Sequence, residues 1–419
     1  MSLVSFILTL PGRLRRRTST GLYRPEIDGL RFWAISTVVV GHMAERAERS
    51  AAAPPPAVRV ALEALNGPGA GVLLFFAVSG YILTTQFRKV DLPALSPGFL
   101  KPYFWRRITR IEPPYVLLLL ATYLVLKMGF DPGALRVMEG PPRSLETSMI
   151  ASLLYSHRWF FGTYPHLFGP GWSLEVEVQF YILAPLLFFT LQRIASYRTR
   201  LAVSAIIFLA ALAVQPLCGL QVGPVHLWGT LLRSFVYFWV GVMMADLNVG
   251  VPGWADRIPR RLGEAVGLAS LVAWYLIGLL PAGYTLAGVL QIAALCLCIA
   301  GMFFGVLVPG GFRDFCARPW IALIGGACYS LYLTHLQIEQ LWSMLVGKVL
   351  HGAGGWAPAL LANMAGGLVL ATVGGLLYYA IIERPFMRAG WVGAAWSGLK
   401  RRGARQPVVA EEPKSAAID

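Results

Sequence analysis

The chain has 419 residues, of which 56% are hydrophobic and 14% are charged, and its mean hydropathy is +0.60. Soluble globular proteins carry roughly 25% charged residues, so much of this surface must face something other than water. The net charge of +15 does not indicate a nucleic-acid-binding protein, because the basic residues cluster between apolar stretches. We therefore expect an integral membrane protein with no nucleic acid partner. The cysteines, five in number, suggest neither a disulfide framework nor a metal site.

The predicted elements begin with a basic cytoplasmic N-terminal segment, residues 1–25, whose arginines follow its short apolar stretch. That order is the reverse of a secretory signal peptide. About ten apolar stretches follow, each long enough to cross a hydrocarbon core of roughly 30 Å. They cover residues 30–48, 69–87, 111–130, 173–191, 201–220, 227–246, 262–279, 284–306, 320–345 and 356–382. The transmembrane domain is thus predicted over residues 26–390, with a disordered cytoplasmic tail over 391–419.

The distribution of basic residues gives this bundle an orientation. If the N-terminus is cytoplasmic, most of the 36 Lys and Arg residues fall on cytoplasmic connections, as the positive-inside rule requires. The prediction is an all-α integral membrane fold, a bundle of about ten transmembrane helices with both termini in the cytoplasm. The protein is therefore expected to have the lipid bilayer as a partner.

The first span, IDGLRFWAISTVVVGHMAE, holds several ionisable residues. Such residues are costly in a membrane and are functional candidates by default. Arg31 and His42 lie three helical turns apart, ~16 Å along one helix face. Arg31 either snorkels to the inner surface, pairs with Asp28, or serves function. His42 is either a hydrogen-bonded structural residue or a general base, since a neutral imidazole can accept a proton near neutral pH.

Two further candidates are predicted to lie at the depth of His42. Glu177 follows the outer end of the fourth span, and His335 lies in the outer half of the ninth, YSLYLTHLQ. An acid and a base at one level are what a proton-transfer site needs. The alternative for both residues is a structural hydrogen bond between helices.

At the inner mouth of the third span, FWRRITRIEPPY supplies Arg106, Arg107 and Arg110. Arg106 and Arg110 are one turn apart and can present two cations to a phosphate, or they merely obey the positive-inside rule. Ser79 in FFAVSG lacks the surroundings of a hydrolase nucleophile and is interpreted as a helix-packing residue. Glu383 is expected to form a structural ion pair with Arg31.

An aromatic stretch is predicted on the outer side. It includes Trp159, Phe160, Phe161, Tyr164, Phe168 and Trp172. Such residues form either the aromatic belt at the membrane surface or a platform on which a sugar stacks.

These segments together resemble the bacterial acyltransferase 3 family, multi-pass enzymes that O-acylate surface polysaccharides, lipid-linked sugars and small molecules. DGLRFWAISTVVVGH looks like the family's Arg/Lys-x10-His signature, and FFAVSGYIL resembles its FFxxSGF segment. FWRRITRIEPPY is similar to RRxxRIxPxY, GPGWSLEVEVQFY to WSLxVExQFY, YSLYLTH to SYxLYLxH, and IERPF to the closing E-x-P. Glu175 and Val178 depart from the common WSLSVEEQFY, which leaves Glu177 as the acid in register.

The resemblance implies a ten-helix acyltransferase of the bacterial cytoplasmic membrane. Its donor is cytoplasmic acyl-CoA, usually acetyl-CoA, used as a co-substrate with no tightly bound cofactor. Its acceptor is a hydroxyl of a carbohydrate or lipid-linked glycan reached from outside. We expect no fused hydrolase-like extracellular domain, since the chain ends soon after the tenth span. The roles implied are catalysis by His42, donor binding by Arg31, Arg106, Arg107 and Arg110, and support from Trp172, Glu177 and Glu383.

The hypothesis is that His42 acts as general base with Glu177 orienting its imidazole. Acceptor contacts are assigned to Trp159, Tyr164, Trp172 and His335, and supporting roles to Asp28, Ser79 and Glu383. Direct transfer and a covalent acyl-His42 both remain open, as does a homo-oligomer. The alternative function is a proton-coupled transporter or exporter in which His42, Glu177 and His335 form a proton relay.

Overall fold

The computed structural model describes residues 3–16, 23–50, 54–88, 95–130, 144–281, 283–350 and 356–387. Helices dominate these ranges, and the one sheet within them is an antiparallel hairpin, β1 (Gln221–Val222) with β2 (Val225–His226). Gln221 lies opposite His226 in its register. The predicted all-α class is confirmed, while the predicted tail over 391–419 lies outside the described residues.

The α-helices follow one another with short connections. They are α1 (Leu3–Leu14), α2 (Pro25–Ser50), α3 (Pro56–Leu65), α4 (Pro68–Phe87), α5 (Pro97–Lys127), α6 (Leu145–Leu153), α7 (His157–Phe161), α8 (Gly171–Gln192), α9 (Tyr197–Ala213), α10 (Leu231–Gly250), α11 (Arg260–Gly278), α12 (Leu286–Leu307), α13 (Gly311–Cys316), α14 (Pro319–Gly326), α15 (Cys328–Leu350), α16 (Trp356–Tyr378) and α17 (Arg384–Phe386). A π-helical turn, Tyr379–Glu383, joins the last two, and short 3₁₀ turns lie at Gln215–Gly219, Leu227–Gly229 and Ala255–Arg257.

Length and apolar composition set which of these helices can cross a membrane. Within the described residues six segments are long and apolar enough to cross, namely 56–87, 97–127, 171–192, 227–250, 286–307 and 356–386. A seventh is obtained if α14 and α15, which meet at a 72° bend, count as one span. Each predicted stretch falls on a helix. However, α2, α9 and α11 do not meet the criteria of length and apolar composition for a membrane span, and α9 has only 17 residues. Ten crossings and cytoplasmic termini therefore stay predictions.

The bundle is built around α2, which packs against α4, α14, α15 and α16. Glycines bring the backbones close, as small residues do between membrane helices. A methyl group added at Gly241 of α10 would lie 1.8 Å from the carbonyl oxygen of Ala77 in α4. One added at Gly325 of α14 would lie 1.8 Å from the carbonyl oxygen of Asp28 in α2. These contacts fix the helices that carry the polar side chains described next.

Large apolar side chains point outward on the opposite faces of the helices. Leu297 of α12 is 75% exposed, and Ile182 of α8 and Leu361 of α16 are exposed to a similar degree. A soluble protein rarely exposes so much contiguous apolar surface. This perimeter matches the hydrocarbon environment that the composition predicts.

Candidate active site

His42 lies in the middle of the polar interior, on the face of α2 that meets α15. Its side chain is 24% exposed, and its Nδ1 is 3.4 Å from Oε2 of Glu45, one turn further along the same helix. Glu45 also forms an ion pair with Arg49. With Nδ1 turned towards a carboxylate, the Nε2 atom of His42 is the nitrogen available to accept a proton.

The ring of His335 stacks on that of His42, with centroids 5.4 Å apart. Its Nδ1 donates to the carbonyl oxygens of Tyr332 and Leu331, at 2.8 and 3.1 Å, so the proton of the neutral ring is on Nδ1. Its Nε2 has no hydrogen-bond partner among the described residues, and the side chain is completely buried. Of the two histidines, His42 is therefore the one that a substrate can reach. His42 and His335, which were predicted only to lie at one depth, are in direct contact, and the buried ring of His335 supports that of His42.

A buried ion pair lies one turn further along α2 and α15 from the histidines. Arg46 of α2 is 3.6 Å from Glu339 of α15, and it donates to the carbonyl oxygen of His42 at 2.9 Å. Glu339 is fully buried. A buried carboxylate loses much less free energy when a cation lies beside it, so this pair ties α2 to α15 at the level of His42.

Glu177 has different partners from those predicted. Its Oε1 accepts from the hydroxyls of Ser79, at 2.7 Å, and Tyr181, at 2.5 Å. The carboxylate beside His42 is that of Glu45, because a residue three positions along the same helix is nearer than one on α8. Ser79, predicted to serve packing alone, is thus a hydrogen-bond donor to Glu177.

The predicted inner arginines fall into separate arrangements. Arg31 pairs with Asp28 at 2.8 Å, and Arg16 reaches the same carboxylate at 3.2 Å. Glu383 pairs with Arg110 at 3.7 Å and accepts from Ser330 at 2.6 Å. The predicted pairing of Arg31 with Glu383 is therefore wrong, because Asp28 is one turn away on the helix of Arg31 itself.

Arg106 and Arg107, the other two predicted inner arginines, have no carboxylate partner within the described ranges. The guanidinium of Arg107 lies 3.6 Å from the ring centroid of Tyr103 and 5.1 Å from that of Tyr181. Arg106 is exposed. Arg106 and Arg110 are thus not presented as an equivalent pair, since only Arg110 is engaged by an acid.

The outer aromatic residues divide into two groups. Trp172 and Tyr164 lie against the guanidinium of Arg158, together with Trp228 from a later connection. Trp159 instead donates to the carbonyl oxygen of Tyr155 and packs on Phe160. Part of the predicted aromatic stretch therefore surrounds a cation, while Trp159 and Phe160 pack on each other.

Sequence reasoning missed several residues of this site. Glu45 was recoverable, because it stands three positions after His42 on a predicted helix. Arg46 and Glu339 carried no pairing signal, since they lie on different helices far apart in the chain. The same holds for Arg158 and Trp228.

The architecture and the site define a class of protein. It is a multi-pass helical membrane protein with a histidine pair in its interior and a cluster of arginines at one mouth. The chain belongs to the acyltransferase 3 family, whose model, described as an acyltransferase domain, matches residues 24–380.

Individual relatives are similar over part of their length. YrhL of Bacillus subtilis, provisionally named a peptidoglycan O-acetyltransferase, is 26% identical over 77% of this chain and 49% of its own. The O-acetyltransferase OatA of Staphylococcus aureus is 27% identical over 39% of this chain and 24% of its own. The peptidoglycan O-acetyltransferase OatA of Listeria monocytogenes is 29% identical over the same shares. The chain thus spans about half the length of YrhL and about a quarter of either OatA. No solved structure matches the chain at a significant level.

Proposed function

We propose that the protein is a membrane O-acetyltransferase that moves an acetyl group from cytoplasmic acetyl-CoA to a hydroxyl of a carbohydrate acceptor on the outer side of the cytoplasmic membrane. Membership of an acyltransferase family supports the reaction class. The names of the relatives favour peptidoglycan or a related glycan as acceptor. The observation that carries the proposal is the half-buried His42, which has a carboxylate at Nδ1 and no hydrogen bond at Nε2 to any of the residues that the structure describes.

In the proposed reaction Nε2 of His42 takes the proton of the acceptor hydroxyl as its oxygen attacks the thioester carbonyl carbon. The new C–O bond forms, the C–S bond breaks, and the CoA thiolate leaves with the proton that the imidazolium returns. Glu45 stabilises the transient imidazolium, as the carboxylate of a catalytic triad does. Arg46 and His335 hold α2 and the ring of His42 in place. This assignment replaces Glu177 by Glu45 as the orienting acid.

The inner arginines are proposed to hold the phosphates of CoA. The cluster of Arg16, Arg31 and Arg110 exceeds the charge of its partners Asp28 and Glu383 by one. Arg106 and Arg107 add two further cations with no carboxylate partner among the described residues. This surplus favours binding of a polyanion at the inner mouth. The acyl arm then has to cover the rise of ~16 Å from Arg31 to His42.

The transporter alternative needs a relay through His42, His335 and Glu177. The two histidines are in contact, but Glu177 is hydrogen-bonded to Ser79 and Tyr181. Family membership further favours transfer chemistry over transport.

One assay separates these functions. Purified protein in nanodiscs is incubated with labelled acetyl-CoA and candidate glycans. Transfer is compared between wild type, His42→Gln and the control His166→Gln, which changes a half-buried histidine in the connection between α7 and α8. Loss of a general base lowers the rate by about 10²–10⁴-fold, so His42→Gln should be nearly inactive while the control is not. If the wild type transfers acetyl to no acceptor but moves substrate across vesicle membranes, the proposed acetyltransferase function is overturned.

A further inference from the structure

The guanidinium of Arg158 is a buried cation with no acid to neutralise it directly. Arg158 lies in α7 and is 7% exposed. Its Nε has no hydrogen-bond partner in the described part of the chain, and no carboxylate there forms an ion pair with it. A buried charge is expensive unless something compensates it, so this arrangement points to a ligand.

Three aromatic rings surround this guanidinium. The distances from its central carbon to the ring centroids are 4.2 Å for Trp172, 4.5 Å for Trp228 and 5.1 Å for Tyr164. Cation–π contacts stabilise the charge through the ring faces and leave the N–H donors unused. We call Arg158 with these three rings the Arg158 cage.

The nearest acid is already engaged by backbone. Glu175 of α8 accepts from the backbone N–H of Arg158 at 2.8 Å and thereby holds the start of α7. Arg233, whose guanidinium bonds the hydroxyl of Tyr284, adds a second positive charge to the neighbourhood. Burial lowers the pKa of Arg158 to about 10, which leaves it a cation at neutral pH.

The Arg158 cage shares a wall with the histidine site. Trp172 is followed by Ser173, whose hydroxyl lies 2.7 Å from that of Tyr332. The ring of Tyr332 is 5.9 Å from that of His335, which stacks on His42. A glycan held in the cage would therefore place neighbouring hydroxyls towards His42.

We propose that the Arg158 cage is the binding site for an anionic group, a carboxylate or a phosphate, carried by the acceptor. The Arg158 N–H donors pair with its oxygens, while Trp172, Trp228 and Tyr164 exclude water and stack on the sugar ring. This inference rests on the proposed function for the identity of the ligand as an acceptor. The site itself is testable without catalysis.

The test is calorimetric titration of the protein in nanodiscs with no acyl donor present. One arm compares N-acetylmuramic acid with its methyl ester, and the other compares N-acetylglucosamine 1-phosphate with N-acetylglucosamine. Each pair differs in one anionic group. We expect the wild type to bind one charged member about tenfold or more tightly than its neutral partner, as charge-assisted hydrogen bonds do. The arm that shows the preference identifies the source of the anion.

Arg158→Leu should abolish that preference, while Arg59→Leu should retain it, because Arg59 is an exposed arginine on the short helix α3. Arg158→Lys, which keeps the charge but not the two-pronged donor, should retain part of it. A wild type without any preference, or a preference that survives in Arg158→Leu, overturns the proposal. The wild-type comparison decides even if a variant fails to fold. If acetyl transfer fails while charge-selective binding is observed, the proposed acetyltransferase function is refuted and the proposed anion-binding site is supported.

Discussion

Three carboxylates of the polar interior are each held by a different kind of partner. Glu45 contacts His42 and Arg49, Glu177 accepts from two hydroxyls, and Glu339 faces Arg46. A carboxylate stabilises an imidazolium only when it lies beside the ring, as Glu45 does at His42. The environment of each acid thus assigns it a different task.

Replacing Glu45 should impair the proton transfer assigned to His42. We expect Glu45→Gln to lower kcat for acetyl transfer by about tenfold or more, because the transient imidazolium loses its counter-charge. The KM for acetyl-CoA should not change, since Glu45 is far from the inner arginines. Steady-state kinetics with the purified protein measure both constants.

Glu48→Gln is the matched control, because Glu48 is also a half-buried acid on α2, three positions after Glu45. It should behave as wild type. Glu177→Gln should have a smaller effect than Glu45→Gln, since an amide oxygen can still accept from Ser79 and Tyr181. Equal losses for all three variants would show that Glu45 has no special role.

At the level of helices, the close contact between α4 and α10 decides the geometry of one wall of the site. Phe76 of α4 stacks on Phe238 of α10 at 4.6 Å, and Phe76 also meets the edge of Trp172. A methyl group at Gly241 would collide with the carbonyl oxygen of Ala77. Backbone atoms cannot give way as a flexible side chain can, so Gly241 allows the approach of the two helices.

Gly241→Ala should therefore destabilise the protein by about 1–3 kcal/mol, as overpacking of a close contact does. Thermal unfolding in detergent should show a lower Tm. Gly347→Ala is the control, because a methyl group there meets nothing within 4 Å and alanine favours the helix. An unchanged Tm for Gly241→Ala would mean that α4 and α10 can separate without cost.

The sequence predicted the positions of the long helices well, because unbroken apolar stretches are a strong local signal. It also offered the pairing of Arg31 with Asp28 as an alternative, since residues three apart face each other on a helix. It did not predict the 72° break between α14 and α15, which divides one apolar stretch where small residues allow a bend. Nor did it predict that Trp228 meets Arg158, because such contacts depend on how distant segments pack.

At the scale of the whole molecule, the proposed reaction needs the inner arginines and the Arg158 cage on opposite sides of the membrane. The crossings of α4 and α5 set this relation, and α9 is the helix that decides the side of the later part of the chain. It has 17 residues and does not pass as a span by length and composition. If α9 crosses, five crossings separate α3 from the 3₁₀ turn Ala255–Arg257, namely those of α4, α5, α8, α9 and α10.

Accessibility labelling tests that relation directly. Arg59 and Arg257 are both exposed, and the native cysteines among the described residues are buried or half-buried, so labelling of Arg59→Cys and Arg257→Cys has a low background. In intact spheroplasts a membrane-impermeant maleimide should label Arg59→Cys and not Arg257→Cys. Both should react after permeabilisation. An odd number of crossings puts the two positions on opposite sides, and the positive-inside rule puts Arg257 in the cytoplasm.

Each other pattern has a definite meaning. Labelling of both positions, or of neither, in intact spheroplasts would mean that an even number of helices crosses between them, with α9 as the candidate to lie at the interface. Labelling of Arg257→Cys alone would invert the bundle and place the inner arginines outside, where no cytoplasmic CoA could reach them. Labelling of Arg59→Cys from outside is what transfer from a cytoplasmic donor to an outer acceptor requires, because two crossings, α4 and α5, separate Arg59 from the Arg158 cage and one, α4, separates it from the inner arginines of α5.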